Sequence, residues 1–175
     1  MKATAITVLL VLFFCFTGFS QIKYEGKMDS KYKSIKLEDG SFKYVKYDKK
    51  NQTIYIYNLN NTLWKKVKLP LPENHFLDEV KLISQKTFNK DEEVELVYSC
   101  VEYTMSDNYE DPAEEYFKIN FTLNVITESG ESLLRVENSN EMEIITTEGG
   151  VKMLVYKHVS ERFNNGDETL IYNLP

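Results

Sequence analysis

Residues 117–125 read Phe117-Lys118-Ile119-Asn120-Phe121-Thr122-Leu123-Asn124-Val125. Five apolar side chains alternate with four polar ones, and a period of two puts all five on one face of a half-buried β-strand. Just upstream, Val94, Leu96, Tyr98 and Cys100 alternate with Val97, Val101 and Tyr103. A strand that is apolar on both faces belongs inside a stack of sheets. A third long run, 151–159, sets Val151, Met153, Val155 and Val159 against Lys152, Leu154, Tyr156 and His158.

The joints between such runs carry hairpin chemistry. Asp39-Gly40, Ser129-Gly130 and Gly149-Gly150 each separate two alternating segments, and Asn165-Gly166 precedes 168–173. Gly supplies the positive φ that tight hairpins require. Asn58-Leu59-Asn60-Asn61 joins 52–58 to 62–69 in the same manner. No helical period interrupts the pattern, which reads as about eleven strands joined mainly by short turns. The predicted fold is all-β, an antiparallel meander in three blade-like groups: 31–69, 78–136 and 141–173. Between the first two lies Pro70-Leu71-Pro72-Glu73-Asn74-His75, where proline interrupts strand pairing. A propeller-like or stacked arrangement is expected, with a β-sandwich or small barrel as alternatives.

Two echoes suggest that the groups repeat. Residues Tyr57 to Val67 line up with Ile126 to Val136 through a turn, a hydroxyl residue, leucine, a large apolar residue, a basic residue and valine. Ile56-Tyr57-Asn58-Leu59 recurs as Ile171-Tyr172-Asn173-Leu174. The third group is one strand short, and Ile22-Lys23-Tyr24-Glu25-Gly26 is the segment expected to supply it.

The chain has 175 residues, of which 42% are hydrophobic and 13% aromatic. That balance excludes a disordered chain and a polytopic membrane protein. Residues 1–20 read as a secretory signal peptide: Lys2, an apolar run from Ile6 to Phe16, then Gly18-Phe19-Ser20 before Gln21. The expectation is export to the periplasm or exterior, one all-β domain over 21–175, and no membrane span after cleavage. The remaining chain holds a single cysteine, Cys100, in an apolar run, which predicts a buried and inert thiol. Its 20 basic and 27 acidic residues are segregated. Residues 21–90 carry 15 lysines against eight acids, whereas 91–148 carry two basic residues against 16 acidic ones. The net negative charge argues against nucleic acid. Its segregation points to self-association or a charged partner.

Three stretches occur in an order that resembles a known family: Ile54 to Pro72, Phe88 to Tyr98, and Thr169-Leu170-Ile171-Tyr172-Asn173-Leu174-Pro175. Over roughly 51–175 the chain is similar to a β-rich repeat module of secreted Bacteroidota proteins. In relatives the module is often followed by a type IX secretion sorting domain, commonly after Leu-Pro-Gly. The sequence here stops at Leu174-Pro175 without one. The resemblance implies an envelope or extracellular location and carries no activity.

Chemistry-bearing motifs are scarce. The two histidines, His75 and His158, lie far apart, with no metal-ligand spacing, and read as surface or packing residues. No nucleophile elbow, phosphate loop or dinucleotide fingerprint occurs. Carboxylates cluster at Asp91-Glu92-Glu93 and over 107–115, where solvated turns are the ordinary reading. No cofactor is expected; if Ca²⁺ binds, Asp107, Glu110, Asp111 and Glu114 are the candidate ligands. The twelve tyrosines suit contacts with a protein or glycan, since each joins an apolar ring to a polar tip. Tyr55, Tyr57, Trp64, Tyr103, Tyr109 and Tyr116 are the candidate binding residues. The expected role is a secreted, non-catalytic module binding a protein or glycan. The alternative is a secreted hydrolase using carboxylates within 91–115.

Overall fold

The computed structural model describes residues 24, 26–27, 31–106, 116–158, 160–161, 164–165 and 167–175, with backbone alone at 105–106, 116–118, 160–161 and 164–165. Every regular element among them is a β-strand. The first sheet holds β1 (Tyr32–Lys36), β2 (Phe42–Asp48), β3 (Thr53–Asn58) and β4 (Leu63–Lys68), in that spatial order. A second holds β5 (His75–Ser84), β6 (Glu95–Ser106), β7 (Tyr116–Thr127) and β8 (Ser132–Glu137), again in order. The third is built from β9 (Ser139–Thr147), β10 (Gly150–Lys157) and β13 (Glu168–Asn173), with β10 central. Two-residue strands β11 (Ser160–Glu161) and β12 (Asn164–Asn165) form a minor ladder. All pairings are antiparallel, and none of the three sheets closes into a barrel.

The turns set this outcome. Three hairpins share one hydrogen-bond pattern: Leu37 N donates to Ser41 O, Asn58 N to Thr62 O and Thr127 N to Glu131 O, each at 2.9 Å. Inside each loop a left-handed residue, Gly40, Asn61 or Gly130, donates back to the first position. This is the three-residue hairpin, in which glycine or asparagine tolerates the positive φ. Asn138, at φ 60, carries the chain directly from β8 into β9 and so from the second sheet to the third.

The second sheet is the middle layer. Leu96, Tyr98, Cys100 and Ile126 join Ile54, Ile56, Val67 and Leu69 in one core. From the opposite face Val97, Leu123 and Val125 pack with Met153 and Val155 of the third sheet. β6 is therefore buried on both sides, as its doubly apolar pattern predicts. The structure is a stack of sheets.

Register repeats as well. Ile54 pairs with Val67 and Leu123 with Val136, positions that differ by 69 (123 − 54 and 136 − 67). Both ladders bulge at the equivalent place, skipping Trp64 in β4 and Leu133 in β8. Lys43 lies opposite Asn58 and donates to its Oδ1 at 2.8 Å; Lys152 and Asn173 do the same at 2.9 Å.

Some details differ from the sequence reading. His75 opens β5 instead of lying in the proline-flanked loop, because its backbone already pairs with Glu102. β10 ends at Lys157, so His158 leaves the strand, and its N–H is taken by Asn138 O. Of the segment expected to complete the third group, Tyr24 and Gly26 carry no strand pairing, and the rest lies outside the described residues.

Candidate functional site

The outer face of the first sheet concentrates the tyrosines. The β2–β3 turn places Asp48 Oδ1 and Oδ2 against the backbone and side-chain amides of Asn51, at 3.2 and 2.8 Å, with Gln52 at φ 49. That turn locks Tyr44 opposite Tyr57 and Lys46 opposite Tyr55; the next hairpin sets Lys66 opposite Tyr55. Slippage by one residue would exchange these side chains with Ile54, Ile56 and Val67, so core burial fixes the face.

The result is a ladder of rings and cations. Tyr32 meets Tyr57 edge-on at 5.5 Å between centroids, and Tyr55 stacks beside Tyr57 at 6.5 Å. Lys46 Nζ lies 5.4 Å from the Tyr32 ring and Lys66 Nζ 5.7 Å from that of Tyr55. Such contacts hold ammonium groups over the rings while leaving their other donors to solvent or a ligand. Partial burial, with Tyr32 alongside, keeps the Tyr57 phenol above its ordinary pKa, so it remains a neutral donor and acceptor. This surface can stack and hydrogen-bond.

The remaining aromatic candidates do not join it. Trp64, the bulged residue of β4, packs against the core on the other side of the sheet, with Lys43 Nζ 4.5 Å from its ring. Tyr103 is exposed on the second sheet, 6.4 Å from Phe76 and opposite Ile119. Tyr116 opens β7 opposite Ser106, where only backbone is described. Tyr109, Asp107, Glu110, Asp111 and Glu114 lie outside the described residues. Sequence reasoning missed Tyr32, Lys46 and Lys66 as members of the face. The signal was present in the lysine–tyrosine interleaving of β1 to β4, but only cross-strand register converts it into contacts.

The carboxylates divide into two kinds. Asp91, Glu92 and Glu93 are exposed; Asp91 Oδ1 accepts the Glu93 N–H at 2.8 Å, as a turn cap does. Glu95, by contrast, is fully buried and was not singled out by the sequence. Its two oxygens accept N–H groups of Thr87, Phe88 and Asn89 and the hydroxyl of Ser84, at 2.7–3.1 Å. It ties the 85–94 connection to the middle sheet. Cys100 is buried as predicted, and burial pushes its thiol upward despite the Asn124 amide that contacts sulfur at 3.5 Å. Among the described residues no group of three or more His, Cys, Asp or Glu side chains could hold a metal, and no helix is long and apolar enough to cross a membrane.

Comparison with protein-family models, curated proteins and solved structures finds no match to this chain.

Proposed function

We propose that the chain is a non-catalytic binding module of the cell envelope or exterior, and that it engages a protein or glycan through the tyrosine–lysine face of its first sheet. The observation that carries this reading is the ladder of Tyr32, Tyr55 and Tyr57, with Lys46 and Lys66 beside the rings, which spans all four strands of the sheet. Aromatic rings with polar tips bring contact area at small entropic cost, and the lysines favour a ligand that carries anionic groups. The leader-like pattern of 1–20 and the resemblance to a secreted Bacteroidota module support export. The matched registers and bulges support an internally repeated four-stranded unit.

The test is a calorimetric titration of the chain against a panel of sulfated and uronate glycans and of soluble envelope proteins, repeated with Tyr55→Ala. A ligand of this face loses about tenfold in affinity with that variant, the equivalent of one aromatic contact. Turnover of any glycan, abolished by Glu→Gln changes within 91–115, would overturn the proposal in favour of a hydrolase.

A further inference from the structure

We propose that the wedge between the first and second sheets binds a single-chain amphiphile with an anionic head, a long-chain carboxylate. The two sheets are pinned at one end of β1 and β5. There the Glu38 carboxylate accepts the Thr87 hydroxyl at 2.7 Å and the Gln85 N–H at 3.3 Å. Towards the other end of these strands the layers part, leaving a cleft of about 820 Å³. That size lies within the roughly 300–1,000 Å³ of small-molecule sites.

The lining has two zones. Ile35, Val45, Leu77 and Val80, only partly buried, form an aliphatic floor continuous with the core, with Tyr47 as its aromatic member. Aliphatic walls match an acyl chain, whereas sugar rings are held by aromatic faces and convergent polar groups. Charge supplies the second argument. Six lysines line the cleft against three carboxylates: Asp48, Asp78 and Glu79. Each carboxylate is already engaged: Asp48 by Asn51, Asp78 by the Ser99 hydroxyl and Glu79 by Lys81. Lys46 turns to the outer face beside Tyr32 and Lys81 is paired with Glu79, which leaves Lys31, Lys33, Lys49 and Lys50 against Asp48 and Asp78, still a cationic excess along the cleft. Lys33 points inward beside Val45 because β1 alternates about Tyr32 and Ser34. Inward lysines on an edge strand also discourage strand-to-strand aggregation. That role alone requires no selection of a ligand's head group, and the experiment separates the two.

The full chain is titrated with monomeric palmitate, with hexadecanol as the uncharged counterpart, and with vesicles of anionic lipid. Saturable one-to-one uptake of palmitate is expected. The double variant Lys33→Glu/Lys50→Glu, at exposed positions, weakens palmitate about tenfold while leaving hexadecanol unchanged. Val45→Trp fills the floor and weakens both ligands. Thermal unfolding of each variant confirms that the fold persists. No saturable uptake, equal palmitate affinity in the lysine variant, or binding to vesicles without uptake of monomeric palmitate overturns the inference. Tyr55 and Tyr57 lie on the opposite face of the sheet, so neither outcome bears on the glycan or protein titration.

Discussion

At the scale of single residues, Glu95 is the most consequential side chain that the amino-acid pattern conceals. In sequence it is one more polar position between Val94 and Leu96. In the structure each of its oxygens receives at least two donors, so an amide in its place turns an NH₂ towards backbone N–H groups. Glu95→Gln should therefore lower stability by about 3 kcal/mol, the range for breaking a buried charged hydrogen-bond set. Urea denaturation measures it; a loss within experimental error would mean that the 85–94 connection holds itself. The role of Glu95 was not legible beforehand, because one buried carboxylate and one solvated carboxylate have the same spelling. Cys100 is the opposite case: its apolar neighbours already implied burial.

At the scale of elements, the hairpins allow a matched comparison. Gly130 and Asn61 hold the same left-handed position of equivalent loops, at φ 89 and 63. Gly130→Ala forces a Cβ into that conformation and should cost about 1 kcal/mol. Asn61→Gly should be neutral or stabilising by a few tenths of a kcal/mol, since the strain it relieves is small (about 0.5 kcal/mol at most). Chemical denaturation of the two variants gives the pair of signs, and equal losses at both would show that the loops are not equivalent. Strand positions and grouping were legible because each depends on local facts: alternation, turn residues and the proline-rich break at 70–72. The bulge at Trp64 was not. It turns Trp64 to the same core-facing side as Lys65 and Val67, a break in the alternation that no neighbour in sequence states.

At the scale of the whole molecule, Lys65 and Glu128 join the first sheet to the turn of the second, with Nζ–O distances of 2.7–2.8 Å, and Val94 N–H adds a donor at 3.0 Å. Burial pushes the Glu128 carboxyl up, but the Lys65 bond, the Val94 N–H and the lysine charge outweigh it, and the net shift is downward. A carboxyl depressed on folding stabilises the native state above its unfolded pKa, near 4.5. That contribution disappears as pH falls through the lower folded value. Wild type should thus lose more stability than Glu128→Gln between pH 7 and strongly acidic solution, as urea midpoints would show; parallel losses would remove the linkage. What the sequence determined by itself is the all-β class, the three groups of strands and their turns, because each follows from period, φ preference and missing donors within a few residues. The order of the layers, the gathering of tyrosines and lysines onto one face, and the wedge beneath β1 were decided by tertiary structure alone. They depend on which apolar faces meet, and many different pairings of faces would have satisfied the same local alternation.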